Sequence, residues 1–204
     1  MIPFNEDGTS VVTAEGNRGC FALVCYVADP LKSAIEVLRQ AIPGKQLPPV
    51  HVTVLPPRPL LSDAESACAL VRKATQKFAP FEAELSEVRC FPETNFLYLD
   101  IAAGSSRLRE LHASLNSGEL EHTEPHEYRP HLTLGGPVPA ELLAKAESDA
   151  AEQWSKMRER RVRVEQLSCL WLPGQGSREW TRVASYSLTE PAVRQTARTT
   201  IRKY

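Results

Sequence analysis

Two short stretches, HVTVLPP at His51–Pro57 and HLTLGGP at His131–Pro137, each set a histidine and a threonine two residues apart in an otherwise apolar run. On a strand, residues i and i+2 point to the same side. His51 and Thr53 therefore share one face while Val52 and Val54 take the other, and His131 and Thr133 stand the same way against Leu132 and Leu134. One such strand is commonplace; two at matching places in one chain predict a shared site.

Working outward from each motif gives the same order twice: strand, helix, His-x-Thr strand, helix, strand. From His51 to the strand opening at Phe81 is 30 residues, and from His131 to the strand opening at Arg161 is again 30. The first unit reads as FALVCYVA (Phe21–Ala28), a buried strand, then Asp29-Pro30 as helix start before Leu31, Ala34, Ile35, Leu38 and Ile42 at helical spacing. After the first motif, Ser62 and Glu65 suggest a capping box ahead of Ala64, Ala67, Cys68, Val71, Ala74 and Phe78. FEAELSEVRCF and NFLYLDI follow as a strand pair turning at Pro92–Thr94. A third helix runs over Leu108, Leu111, His112 and Leu115, and Pro139 opens a fourth through Leu142, Leu143, Ala146, Ala150 and Trp154. RVRVEQLSCLWL from Arg161 reads as one strand, pairing with EWTRVASYSL across a turn at Gly174 and Gly176.

This pattern predicts an α+β, bilobal, duplicated fold: two lobes, each an antiparallel sheet flanked by helices, with a cleft between them on an approximate two-fold axis. Residues 1–18 read as a loose arm, 19–190 as one bilobal domain, and 191–204 as a basic tail carrying Arg194, Arg198 and Arg202. The 24 basic and 25 acidic side chains leave a net charge of -1, so no overall field draws in a long polyanion. Cys20, Cys25, Cys68, Cys90 and Cys169 are scattered without metal-binding spacing and read as reduced thiols of a cytoplasmic protein. Neither a signal peptide nor a membrane-length apolar run is expected.

Two imidazoles and two hydroxyls facing one cleft suit phosphodiester cleavage. A base takes the proton from the attacking oxygen, an acid protonates the leaving oxygen, and hydroxyls donate to the non-bridging oxygens. A near-symmetric pair leaves open which histidine is base and which acid.

PPVHVTVL and YRPHLTLGG resemble the signatures of the two-histidine (2H) phosphoesterase superfamily, the 2'-5' RNA ligase-like family, and the likeness spans about Cys20 to Glu190. The resemblance implies metal-independent cleavage or transfer of RNA-type diesters: 2',3'-cyclic phosphates, 2'-5' linkages or related small cyclic nucleotide phosphates. It maps the catalytic residues onto His51 and His131, and the phosphate-binding ones onto Thr53 and Thr133. The expected substrate is a small nucleotide or an RNA end, with no cofactor, no metal, no long duplex nucleic acid, no membrane, and a monomeric chain. An RNA ligase or a 3' exonuclease using the same site, a module that binds phosphate ends without turnover, and a plain α+β protein with structural motifs are the alternatives.

Other residues are set beside this site. His122 and His126 have metal-ligand spacing, but Pro125 between them in HTEPH breaks the helix such a pair needs. His112 sits on an apolar helix face and is left out of the site. Arg58, Tyr128 and Arg129 either meet phosphate and base or are plain loop and edge residues. Trp171 and Trp180 flank LPGQGSRE and read as core aromatics, and RERRVR from Arg158 as a solvated helix end.

Overall fold

A computed structural model of the chain describes residues 19–60, 63–173 and 179–189. The arm, the tail, Ser62 and the glycines at 174 and 176 lie outside the described residues.

Eight strands and four helices follow in chain order: β1 (Cys20–Tyr26), α1 (Leu31–Gln40), β2 (His51–Pro59), α2 (Ala64–Thr75), β3 (Phe81–Phe91), β4 (Phe96–Ile101), α3 (Ser105–Leu115), β5 (His131–Gly135), α4 (Ala140–Ser155), β6 (Arg161–Val164), β7 (Gln166–Leu172) and β8 (Thr181–Ser187), with a 3-10 turn at Gly118–Leu120. The strands form two four-stranded antiparallel sheets, ordered β2-β1-β7-β8 and β5-β4-β3-β6. Each motif strand is thus the edge strand of its sheet, and β2 and β5 lie beside each other.

The two orders correspond position by position, but the sheets are not made of consecutive halves of the chain. β3, the last strand of the first unit, pairs with β4 and β6 in the second sheet, while β7 runs between β1 and β8 in the first. The segment RVRVEQLSCLWL is accordingly two strands rather than one: β6 and β7 are separated at Glu165 and join different sheets. β6 buries Val162 and Val164 at period two, whereas β7 buries Leu167, Ser168 and Cys169 in succession, and the consecutive exposed residues Glu165 and Gln166 mark the break between them.

Local chemistry explains the helices. Leu31, Ile35 and Leu38 give α1 a buried stripe at spacings of four and three. The Asp29 carboxylate accepts from Ser33 N–H, so it caps from one position further out than the sequence suggests. The cap of α2 is Asp63 rather than Ser62: its carboxylate accepts from Ser66 N–H at 2.7 Å. α4 buries Ala146, Ala150 and Trp154, whereas Leu142, expected on that face, is 41% exposed. The Arg160 guanidinium donates to the carbonyls of Trp154, Ser155 and Met157 and lies over the Trp154 ring, closing the end of α4.

Just past β5 the backbone demands glycine. Gly136 has φ +135°, and a Cβ there would stand 2.8 Å from Phe96 Cα; a Cβ on Gly44, at φ +147°, would stand 2.8 Å from Gly136 N. Gly136→Ala is expected to destabilise the fold by about 1–3 kcal/mol, read as a lower urea midpoint at unchanged slope. Among the described residues, no helix is long and apolar enough to cross a membrane.

Candidate active site

The strand periodicity places the four motif side chains as expected. Val52, Val54, Leu132 and Leu134 are fully buried, while His51, Thr53, His131 and Thr133 alternate with them on the less buried face. Each fully buried Val or Leu contributes about 1.5–3 kcal/mol. A one-residue slip would bury a histidine and a threonine and expose two core residues, so core packing fixes which face the histidines occupy.

The two imidazoles are held alike. His51 Nδ1 lies 2.6 Å from the Pro49 carbonyl oxygen, and His131 Nδ1 lies 2.7 Å from the Arg129 carbonyl oxygen. A carbonyl only accepts, so each Nδ1 carries a proton and donates, leaving Nε2 as the free nitrogen of both neutral rings. Burial lowers both pKa values, to about 4 for His131. The bonded carbonyl opposes the shift in each ring; the Arg39 charge adds to it at His51, and the His51 and Arg129 charges add to it at His131. His51 and His131 are the first residues of the adjacent strands β2 and β5.

Aromatic rings frame both. Tyr26 stands edge-on to His51, with centroids 6.2 Å apart, and Phe91 and Tyr98 stand edge-on to His131 at 5.0 and 5.5 Å. Phe91 and Tyr98 stack on each other at 4.0 Å, and the Arg129 guanidinium donates to the Tyr98 hydroxyl at 2.9 Å. A groove of about 500 Å³ opens where the end of β1 meets β6 and β7. Tyr26, Arg161 and Ser168 are on its wall, but neither motif histidine is.

Of the residues set beside the motifs, Arg58 points inward. It is 1% exposed and donates to Asn116 Oδ1, the Leu120 carbonyl, the Pro56 carbonyl and Glu124 Oε1, the last at 2.6 Å. That environment satisfies its guanidinium within the protein. Tyr128 is the closer neighbour of the site: its hydroxyl donates to the Thr53 carbonyl at 2.8 Å, and its ring stacks on His112 at 4.0 Å. His112, set aside in the sequence, bonds Glu124 at 2.8 Å and so supports Tyr128 from behind. Three groups went unmarked in the sequence: Arg39, Glu124 and the Phe91–Tyr98 stack. Arg39 reads there only as a basic residue in a helix's last turn, and Glu124 as one acid in a polar loop. Among the described residues, no three His, Cys, Asp or Glu side chains converge as a ligand set.

A family model described as the 2'-5' RNA ligase superfamily matches residues 27–176. No curated protein matches the chain significantly. Solved structures share the fold. E. coli LigT complexed with phosphate is 14% identical with a TM-score of 0.59, covering 86% of this chain and 100% of its own. TT0787 of Thermus thermophilus is 20% identical at 0.59, covering 84% and 98%. Kluyveromyces marxianus Usb1 is 11% identical at 0.57, covering 85% and 98%.

Proposed function

Because the chain belongs to the 2'-5' RNA ligase superfamily, we propose that it is a metal-independent phosphodiesterase acting on 2',3'-cyclic phosphate or 2'-5' linked RNA-type ends, or on related small cyclic nucleotide phosphates. The observation that carries this reading is the matched tautomer: both Nδ1–H groups are spent on backbone carbonyls. Two Nε2 atoms are thereby left to exchange protons with a substrate.

In the proposed reaction, one neutral Nε2 removes a proton from water as its oxygen attacks phosphorus. The bond to the leaving ribose oxygen breaks, and the other imidazolium delivers the proton that oxygen needs. One proton enters the protein and one leaves it, so the pair ends in the opposite protonation state and resets through solvent. Thr53 and Thr133 donate to the non-bridging oxygens, where charge concentrates in the transition state. Solved structures of LigT complexed with phosphate and with 3'-AMP fit a site of this kind. The proposed setting is the cytoplasm, with which five unpaired cysteines agree.

The pH profile follows from the depressed pKa values. Turnover needs one neutral and one protonated imidazole, and both pKa values lie below the ordinary 6.5. The kcat/KM profile is therefore expected to peak below pH 6.5 and to fall as pH rises and the acid loses its proton. Bound phosphate stabilises the imidazolium, so the kcat profile shifts to higher pH. A peak of kcat/KM above pH 7.5 would contradict this.

The test of function is a panel of 2',3'-cyclic nucleotides, 2'-5' linked dinucleotides and linear 3'-5' diesters, with chelator present throughout. Hydrolysis of a cyclic or 2'-5' substrate supports the proposal, and failure on all of them rejects it. Joining of 2',3'-cyclic and 5'-hydroxyl ends would assign the ligase direction instead, and release of cyclic ends from longer RNA a 3' exonuclease.

A further inference from the structure

We infer that Arg39 and Tyr128 are positioning residues that lock the two motif strands into one site, each donating a hydrogen bond into the threonine carbonyl of the opposite sheet's motif strand; the inference rests on the two-histidine reading above.

β2 and β5 belong to different sheets, so no strand ladder joins them. Each is an edge strand whose outward carbonyls need partners. Arg39, near the end of α1, supplies one side: Nε and Nη2 donate to the Thr133 carbonyl at 3.2 and 2.7 Å, and Nη1 donates to the Pro48 carbonyl at 2.8 Å. One rigid, planar guanidinium therefore ties a point three residues before His51 to the middle of the His131 strand. Tyr128 supplies the other: its hydroxyl donates to the Thr53 carbonyl at 2.8 Å. Its ring is stacked on His112, which Glu124 holds, and Glu124 is held in turn by the buried Arg58.

The two ties cross the molecule in opposite directions, from the first half of the chain to β5 and from the second half to β2. Both end on the carbonyl of a motif threonine, two residues from its histidine. Acid and base must flank phosphorus in line, and displacement by about 1 Å can cost on the order of 100-fold in rate. Two histidines on unpaired sheet edges depend on such ties for that alignment. Tyr26 stands edge-on to His51 and the Pro49 carbonyl accepts its Nδ1–H, while the Arg39 charge lowers its pKa beyond what burial does. Arg39 thus also sets the charge beside the imidazole it aligns.

The experiment compares Arg39→Lys, Arg39→Gln and Tyr128→Phe with wild type. Steady-state kinetics are run on the substrate that wild type cleaves, and histidine-ring NMR titrations on the full chain. Arg39→Lys and Tyr128→Phe should each lower kcat about 10–100-fold with KM within about threefold, because alignment rather than binding is lost. Arg39→Gln should in addition raise the His51 titration midpoint, while Arg39→Lys, which keeps the charge, should not. The ring signals should move across the molecule: those of His131 in both Arg39 variants, and those of His51 in Tyr128→Phe. Unchanged kcat, or unmoved ring signals in folded variants, would overturn the inference. If wild type cleaves no diester, the reaction reading has failed, and the NMR results alone then decide whether these residues align the histidines.

Discussion

Replacing His51 or His131 with alanine is expected to lower kcat on the preferred diester by at least about 100-fold, each variant alone, with the fold retained. Removing a general acid or base costs about 10²–10⁴ in rate, and 100-fold corresponds to about 2.7 kcal/mol of transition-state stabilisation. Both rings are only partly buried and sit on the open face of their strands, so truncation opens no large core cavity. The double variant should be little worse than either single one, because the two act as a unit. Circular dichroism establishes that each variant is folded, and single-turnover kinetics separate loss of chemistry from loss of binding. A single variant that keeps more than a tenth of wild-type kcat would remove that histidine from acid or base duty.

The largest expected effect on stability lies behind the site. Glu124→Ala should destabilise the protein by about 3–5 kcal/mol, since it leaves the Arg58 guanidinium, 1% exposed, without its counter-charge. Arg58 keeps its bonds to Asn116 and to the Pro56 and Leu120 carbonyls, but none of those carries a negative charge. The paired change Arg58→Met with Glu124→Leu should recover only part of the loss, because it strands no charge but leaves the Pro56 and Leu120 carbonyls without the guanidinium donor. Urea denaturation measures all three; a loss below about 1 kcal/mol in Glu124→Ala would mean the pair is effectively solvated. Burial raises the Glu124 pKa, but His112 and Arg58 outweigh it and hold the carboxyl below its ordinary value. A carboxylate with a depressed folded pKa adds stability that is present above its unfolded pKa, about 4.3, and is lost as pH falls through the folded value. Acid should therefore erode wild-type stability more steeply in that range than the stability of Glu124→Gln.

The two effects share a route. Glu124 holds His112, His112 stacks on Tyr128, and Tyr128 bonds the Thr53 carbonyl. A loop residue with no place near phosphate in the sequence thus bears on the strand that carries His51.

What the sequence determined by itself was everything that depends on local periodicity and local chemistry. The alternation of Val52 and Val54 with His51 and Thr53, and of Leu132 and Leu134 with His131 and Thr133, is a property of a strand with one buried face. The four amphipathic helices and the duplicated order were legible for the same reason. Tertiary structure alone decided which strand joins which sheet, since β6 and β7 follow one another in the chain yet join different sheets. It also decided the polar contacts made across long stretches of chain: Arg58 with Glu124, Tyr128 with the Thr53 carbonyl, Arg39 with the Thr133 carbonyl. Apolar burial repeats along the chain and leaves a period to read. A hydrogen bond between residues 75 or 94 positions apart leaves none, because it depends only on where the folded backbone brings a donor to an unpaired carbonyl.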